Sequence, residues 1–239
     1  MSVPQKIRCV VKRIVDHGGR VYSLELQPER PLPQFQPGQF LHLAIDPYEP
    51  GDFWPESRVF SIASAPSKRD ELTITYSAVG RFTTRMEKTL QVGSEVWVKM
   101  PYGDFVVNHD GDVVLIAGGT GITAFTGFLE NLAPNPDQKI TLFYGARNPA
   151  LLIFKPLVDR KIQEGVQLSV WYFIEEGQAD ESAGVIRGRI SVESMLPKVN
   201  QASNSVFYLS GPPAMLQKIS ADLKVKDIPV VKIRMDSWE

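Results

Sequence analysis

The sequence has very few of the residues from which disulfides and metal sites are made. Its 239 residues include one cysteine, Cys9, and three scattered histidines. One cysteine cannot form an internal disulfide or supply the four thiolates of an iron–sulfur cluster, and the histidines lack the spacing of a zinc site. We therefore expect no metal centre, and we expect Cys9, which lies in an alternating strand-like segment, to be an unreactive core residue.

Long apolar runs and a strong net charge are lacking too. No apolar stretch approaches the roughly 18 residues of a membrane span, and the first residues, MSVPQKIRCVV, have no apolar signal-peptide core. Lysine and arginine number 26 against 27 aspartates and glutamates, so the net charge is −1 and no overall field attracts nucleic acid. We expect a soluble, monomeric protein of the cytoplasm, with no membrane span and no nucleic-acid partner.

The first part of the chain has the periodicity of half-buried strands. Turn signals rich in glycine and proline separate these segments, and residues 82–90 instead have the pattern of a short helix entered through Gly80. Many short strands with such turns predict an antiparallel Greek-key β-barrel over residues 1–108. Apolar residues alternate in three sets: Leu41, Leu43 and Ile45; Leu72, Ile74 and Tyr76; Val96, Val98 and Met100.

The second part, residues 109–239, alternates buried strands with helical segments. Helices are predicted near 122–132, 150–163 and 212–224, and the run 230–235 could add a closing strand. Such alternation predicts an α/β domain with a parallel sheet, whose ligands bind at the carboxyl ends of the strands. The strands are VVLIA, KITLFYG, QLSVWYF and SVFYLSG, which begin at residues 113, 139, 167 and 205.

The segment GGTG, residues 118–121, lies where the first of these strands meets a helix. Glycines allow a tight turn and let a phosphate approach the backbone, while the helix N-terminus supplies free N–H groups. The other interpretation is a crowded turn that needs glycine only for packing. GGTG is not the complete G-x-G-x-x-G pattern, so it does not decide between them.

Two anion-binding candidates lie in the barrel part. The strand segment RVFS places Arg58 and Phe60 on one face and Val59 and Ser61 on the other. The segment GRFTT, residues 80–84, opens the short helix with a glycine, an arginine and two hydroxyls, which suit a phosphate. A surface arginine and an ordinary threonine cap are the alternative interpretations.

Two further motifs lie in the α/β part. SGPP, residues 210–213, ends a parallel strand and begins a helix at the same sheet edge as GGTG, so one ligand could contact both. The tail DSWE, residues 236–239, carries an indole that either docks the tail or stacks on a planar cofactor.

These five motifs, in this order, resemble the ferredoxin–NADP+ reductase superfamily, whose members pair a flavin-binding barrel with a nicotinamide-binding α/β domain. The resemblance covers nearly the whole chain. It implies a flavin-binding domain over residues 1–108 and an NAD(P)-binding domain over residues 109–239.

RVFS is similar to the family's R-x-Y-S flavin motif. The resemblance implies that Arg58 contacts the flavin phosphate and that Ser61 hydrogen-bonds near the reactive N5, whereas Phe60 replaces the usual tyrosine. GRFT is similar to the segment whose helix N-terminus receives the flavin phosphates. The implied flavin-binding residues are Arg58, Val59, Phe60, Ser61, Tyr76, Gly80, Arg81, Phe82, Thr83 and Thr84.

GGTGIT is similar to the family's nicotinamide-cofactor pyrophosphate loop, and YGARN would place Arg147 near the adenosine side of that cofactor. YLSGPPAML resembles the C-G-P motif, with Ser210 in place of the thiol beside the nicotinamide. IRMDSW resembles the carboxylate-x-aromatic tail, so that Asp236 tunes polarity or relays a proton and Trp238 stacks on the flavin. The implied nicotinamide-cofactor residues are Gly119, Thr120, Gly121, Ile122, Thr123, Arg147, Gly211 and Pro212, and the implied catalytic residues are Ser61, Ser210, Asp236 and Trp238.

The resemblance implies an NAD(P)H-dependent flavin oxidoreductase. Hydride would pass from nicotinamide C4 to flavin N5, and electrons would then reach a separate acceptor such as ferredoxin, flavodoxin, an oxygenase component or a small molecule. FAD is expected rather than FMN because most of the family uses it. Arg147 would pair with the 2′-phosphate of NADPH whereas Glu175 and Glu176 would repel it, so both NADH and NADPH stay open.

Two other functions stay open. A free-flavin reductase would use flavin as a diffusing substrate. A regulatory or electron-transfer subunit would keep the fold without turnover, and the residues that depart from the family pattern, Phe60 and Ser210, are what keep this alternative open. Any iron–sulfur acceptor would belong to another chain, because this one has a single cysteine.

Overall fold

The computed structural model describes residues 3–107, 111–135 and 139–236, and within them the chain forms two compact units. The first unit contains the chain up to Val106 together with Thr126–Phe128, and the second contains the remainder. The predicted linker includes residues 108–110, which lie outside the described residues. The assignment of one cofactor domain to 1–108 and another to 109–239 therefore stays a prediction.

An antiparallel sheet of six strands builds the first unit, in the order β4-β3-β6-β1-β2-β5. Just after β4, the N–H of Ala63 donates to the carbonyl of Thr73 on β5 at 2.9 Å, so the two edge strands approach each other and the sheet nearly closes. The predicted antiparallel barrel is confirmed. Its strands are β1 Gln5–Asp16, β2 Val21–Pro28, β3 Phe40–Ala44, β4 Ser57–Ser61, β5 Leu72–Ser77 and β6 Glu95–Tyr102.

The interior of the barrel is filled by the alternating apolar side chains. Helix α1, Arg81–Thr89, follows β5 and adds Phe82 and Met86 to the same core. Cys9 also belongs to this core, and burial raises the pKa of its thiol to about 12, so the thiol is unreactive near neutral pH. The fully buried members from the predicted strands are Leu41, Leu43, Leu72, Ile74, Val96, Val98 and Met100.

A parallel sheet of six strands builds the second unit, in the order β10-β9-β8-β7-β11-β12. The predicted α/β architecture is confirmed. The strands are β7 Val113–Gly118, β8 Ile140–Ala146, β9 Leu168–Ile174, β10 Val185–Arg187, β11 Val206–Ser210 and β12 Ile233–Met235. The α-helices are α2 Thr123–Asn131, α3 Lys155–Gln163, α4 Val192–Met195 and α5 Pro213–Val225, and none of the described helices is long and apolar enough to cross a membrane.

The strand order reverses between β7 and β11. Strands β8, β9 and β10 follow on one side of β7, whereas β11 and β12 lie on its other side. In open α/β sheets the connections leave such a switch point in opposite directions, and ligands bind there at the carboxyl ends of the strands. GGTG leaves β7 and SGPP leaves β11, so both motifs lie at this point.

The secondary structure departs from the prediction at three places. Strand β10 and helix α4 were not predicted, because three or four residues are too few to show a period. Helix α3 begins at Lys155 rather than near residue 150. The side chain of Asn148 accepts a hydrogen bond from the N–H of Leu151 at 3.3 Å and caps a separate 3₁₀ turn, Pro149–Leu151, before the helix.

Candidate functional site

Two arginines of the barrel unit share one carboxylate. Nη2 of Arg81 lies 2.7 Å from Oε1 of Glu56, and Nη2 of Arg58 lies 3.4 Å from the same oxygen. The guanidinium of Arg58 also lies over the ring of Phe82, 5.3 Å from its centroid. Arg58 and Arg81, which were predicted from separate motifs, are thus brought together around a single anion.

Helix α1 adds its positive end to this cluster. Its first N–H groups have no partners within the helix, and its first turn carries no acidic residue. The hydroxyl of Thr83 accepts from the N–H of Gly80 at 3.1 Å, and the hydroxyl of Thr84 accepts from Nη2 of Arg20 at 3.1 Å. Both hydroxyls therefore have protein partners, and the roles of Thr83 and Thr84 as flavin ligands stay predictions.

The other predicted residues of the barrel motifs lie deeper. The ring of Phe60 packs edge-on against Tyr76, with centroids 6.0 Å apart, and both belong to the core. Ser61 is buried and Val59 is half-buried. Core packing accounts for Phe60 and Tyr76 without a ligand, and the role of Ser61 near flavin N5 stays a prediction.

In the α/β unit, the turns that follow β7 and β11 are in backbone contact. A Cβ atom on Gly121 would lie 2.5 Å from the carbonyl carbon and oxygen of Ser210 and 2.6 Å from the nitrogen of Gly211. Gly121 is thus glycine because another main chain occupies the place of its side chain. The crowded-turn interpretation accounts for this residue, and its role in binding a cofactor stays a prediction.

Gly119 has a different reason to be glycine. Its φ is +55°, a left-handed conformation, and a Cβ atom there would meet nothing within 4 Å. The backbone beside it is open to a ligand, and it leads into α2, whose first turn contains no acidic residue. Thr123 fixes the turn, because its hydroxyl donates to the carbonyl of Thr120 at 2.8 Å, and Ile122 is fully buried beneath it.

Ser210 and Asp236 form a buried pair at the carboxyl ends of β11 and β12. The hydroxyl of Ser210 donates to Oδ2 of Asp236 at 2.8 Å, and the N–H of Asp236 donates to the carbonyl of Leu209 at 2.8 Å. Burial raises the pKa of Asp236 to about 7, while the hydrogen bond from Ser210 acts in the opposite direction. The pair can therefore hold or release a proton near neutral pH, beside the backbone contact with Gly121.

No candidate metal site is found in the described part of the chain, since no group of three or more histidine, cysteine, aspartate or glutamate side chains is arranged to hold an ion. A cavity of about 310 Å³ lies elsewhere in the barrel unit, lined among others by Arg8, Tyr48 and Trp97. None of the predicted cofactor residues lines it.

The chain is similar to known oxidoreductases. The family model for an oxidoreductase NAD-binding domain matches residues 115–221. The reductase component of phenol 2-monooxygenase from Pseudomonas sp. (strain CF600) is 30% identical over 87% of this chain and 59% of its own length. The reductase component of propane 2-monooxygenase from Mycolicibacterium smegmatis is 30% identical over 98% of this chain and 68% of its own length.

The chain belongs to the ferredoxin–NADP+ reductase superfamily. The fold is similar to that of a solved structure, the flavohem-like FAD/NAD-binding domain of a nitric oxide dioxygenase from Vibrio cholerae O1 biovar El Tor. That structure is 23% identical, has a TM-score of 0.80, and aligns over 96% of this chain and 97% of its own. The chain spans about 59% of the length of the phenol 2-monooxygenase component.

In this reductase-family chain, opposite charges lie at the carboxyl ends of β8 to β10. Nε of Arg189 lies 2.7 Å from Oε2 of Glu175, and the N–H of Glu176 donates to the carbonyl of Arg147 at 2.7 Å. Arg147 itself is exposed. The two glutamates that would repel a 2′-phosphate are therefore accompanied by two arginines that would attract one.

One predicted site residue lies outside the described part of the chain, and two residues of the cluster were not predicted. Trp238, with its predicted stacking role, lies outside the described residues. Glu56 and Arg20 were missed, since a charged residue in a loop is ordinary until its partner is known. The spacing of Glu56 two residues before Arg58 was the available signal, but it did not show that Arg81 would join them.

The two glycines of the turn after β7 should respond differently to alanine. Gly121→Ala should lower the free energy of unfolding by about 3 kcal/mol, because the new methyl group collides with the main chain of Ser210. Gly119→Ala should cost about 1 kcal/mol, because it meets only the penalty of a left-handed conformation. Urea unfolding measures both, and an equal or smaller loss for Gly121→Ala would rule out the backbone contact.

Asp236 should make stability depend on pH. Because its folded-state pKa is raised, its contribution is fully present below its unfolded pKa of about 4 and is lost as the pH rises through about 7. The full difference is on the order of 4 kcal/mol. Asp236→Asn keeps an acceptor for Ser210 and should remove this loss, so its stability relative to wild type should increase between pH 5 and pH 8. A constant difference across that range would show that Asp236 is not buried as described.

Proposed function

We propose that this chain is an NAD(P)H-dependent flavin oxidoreductase that holds FAD and passes electrons to a separate acceptor. The observation that carries the proposal is the backbone contact of Gly121 with Ser210, which brings the GGTG and SGPP turns side by side at the switch point of a parallel sheet. Bound flavin would supply the redox chemistry by accepting a hydride and releasing its electrons one or two at a time.

The barrel, residues 1–108, would hold the flavin. Arg58, Arg81 and the N-terminus of α1 combine two positive charges with N–H groups that have no partners within the helix, a donor set that suits a diphosphate. Among the residues that the structure describes, Glu56 is the carboxylate bonded to both arginines. Its single negative charge leaves the cluster with a positive surplus that an anionic ligand would neutralise.

The α/β part, residues 109–239, would hold the nicotinamide cofactor. The open backbone at Gly119 and the N-terminus of α2 suit its pyrophosphate, with Gly211 and Pro212 on the neighbouring turn. The Ser210 hydroxyl is committed to Asp236, so the residue in the family's thiol position acts through that carboxylate. The buried pair would set the polarity beside the nicotinamide and hold a proton near neutral pH.

The acceptor and the choice of nicotinamide are finer parts of the proposal. Two relatives are named as reductase components of monooxygenases, which favours an oxygenase component as the acceptor, ahead of ferredoxin or flavodoxin. Because two arginines and two glutamates occur at the carboxyl ends of β8 to β10, we propose that both NADH and NADPH are used. We also propose that the protein is a cytoplasmic monomer.

One observation favours a free-flavin reductase as the second candidate. The arginines expected to hold the flavin phosphate are exposed and already bonded to Glu56, and a carboxylate that must be displaced weakens the binding of an anion. Weak retention would make the flavin a diffusing substrate.

Turnover tests the proposed activity. Protein loaded with FAD should reduce ferricyanide with either nicotinamide, with kcat/KM values for NADH and NADPH within about tenfold of each other. Absence of turnover with flavin bound would favour a non-catalytic subunit. A rate that saturates with added flavin, together with reduced flavin in an ultrafiltrate, would favour the free-flavin reductase.

Flavin affinity tests the arginine cluster. Arg58→Ala should weaken FAD binding to the folded apoprotein by about 1.5–3 kcal/mol, the range for a hydrogen bond to a charged group. Glu56→Gln should strengthen it, because the competing charge is removed. Arg13→Ala, which breaks an exposed ion pair with Glu25, is the matched control and should change nothing. Equal affinities for wild type and the Arg58 and Glu56 variants would exclude the cluster as the phosphate site.

A further inference from the structure

The cavity of about 310 Å³ in the barrel unit, which we call the outer cavity, lies on the outside of the sheet. Trp97 on β6 lies opposite Arg8 on β1. Both point away from the barrel core, because the neighbours of Trp97 along its strand, Val96 and Val98, point into it. The loop between β3 and β4 supplies the other lining through residues 47–50. The outer cavity thus has one wall from the sheet and one from the loop.

The aromatic rings of the outer cavity are held in place before any ligand arrives. Tyr48 is buried and packs edge-on against Trp97 and Trp54, with ring centroids 5.1 and 5.4 Å away. Nε1 of Trp54 donates to the hydroxyl of Ser57 at 3.0 Å. The ammonium of Lys6 lies 4.4 Å from the centroid of Tyr48, so this group of rings already attracts one cation of the chain itself.

Negative charge is in excess at the outer cavity. The guanidinium of Arg8 lies between two carboxylates, 3.0 Å from Glu95 and 3.6 Å from Glu29. The exposed carboxylate of Glu49, which lines the cavity, forms no ion pair with any residue in the described part of the chain, and neither does that of Asp52 on the same loop. A cation that enters the cavity therefore meets carboxylates that are not fully neutralised.

The lining identifies one kind of occupant. Grooves lined by aromatic rings accept extended, proline-containing segments, and Pro47 and Pro50 add further apolar surface here. An arginine can lay its stem on such rings while its guanidinium pairs with a carboxylate. The ring of Phe53, three residues after Pro50, is 99% exposed, and their Cα atoms are at most about 11 Å apart. A second apolar anchor outside the cavity suits a protein surface rather than a small free cation.

We propose that the outer cavity binds an arginine carried by an extended, proline-containing segment of a partner protein. The guanidinium pairs with Glu49, the prolines pack on Trp97 and the loop prolines, and Phe53 contacts the same partner beside the cavity. The proposal goes beyond the flavin oxidoreductase activity, because none of the predicted cofactor residues lines the cavity. The site would hold a partner on the barrel without taking part in hydride transfer.

Peptide binding to the FAD-loaded full chain tests this site. The probe is a blocked, fluorescein-labelled peptide of sequence Pro-Pro-Arg-Pro-Pro, and fluorescence anisotropy should show saturable binding that weakens with added sodium chloride. Glu49→Lys should weaken binding about tenfold, because it replaces an attracting charge by a repelling one. Glu181→Lys, at an exposed carboxylate of the α/β unit without an ion pair, is the matched control and should change nothing. Circular dichroism confirms that each variant is folded.

Three results would overturn the proposal. The first is a wild-type protein that does not bind the peptide, or that binds a glutamate version of it equally well. The second is an unchanged affinity in Glu49→Lys. The third is equal binding of free argininamide, which would make the cavity a site for a small organic cation. Flavin content and NADH oxidation should stay at wild-type values in Glu49→Lys, so a failure of this proposal leaves the proposed function standing.

Discussion

The α/β unit depends on one close approach between two main chains. The turn after β7 runs so near the turn after β11 that Gly121 has no room for a β-carbon beside Ser210. This contact is possible because β7 and β11 are neighbouring parallel strands whose carboxyl ends are aligned, with Ser210 opposite Ala117. It also places the Ser210–Asp236 pair beside the helix N-terminus that would receive a pyrophosphate. Packing thus requires glycine at position 121, and a left-handed backbone favours glycine at position 119 of the same turn.

The fold was predictable because its signals are local. Alternation at Leu72, Ile74 and Tyr76 follows from a strand with one buried face, and the run at residues 113–117 follows from a strand buried on both faces. Short elements such as Val185–Arg187 were missed because three residues are too few to show a repeating pattern, and because the position of this strand is set by pairing with β9. Whether such short elements form depends on tertiary contacts.

The types of residue that form the candidate site were predictable from the sequence, but the contacts that these residues make were much less so. The motifs indicated Arg58, Arg81 and Ser210, because arginines, glycines and hydroxyls at helix N-termini can bind phosphates. The partners of Arg81 and Ser210, which are Glu56 and Asp236, are set by long-range packing. The spacing of residues in a motif does not predict such packing. The same holds for the hydroxyl of Thr84, which accepts a hydrogen bond from Arg20. This arginine is distant in sequence and has a left-handed backbone conformation. Sequence therefore indicates what a residue can do, and the fold decides which partner it has.

Direct hydride transfer to a bound flavin is the central claim, and anaerobic single-turnover mixing tests it. FAD-loaded protein mixed with NADH or NADPH should lose the oxidised-flavin absorbance in a phase whose rate saturates with nicotinamide concentration. Deuterium at the transferred position of C4 should slow that phase. A flavin that stays oxidised with either nicotinamide, yet is fully reduced by dithionite in the same protein, would contradict the claim.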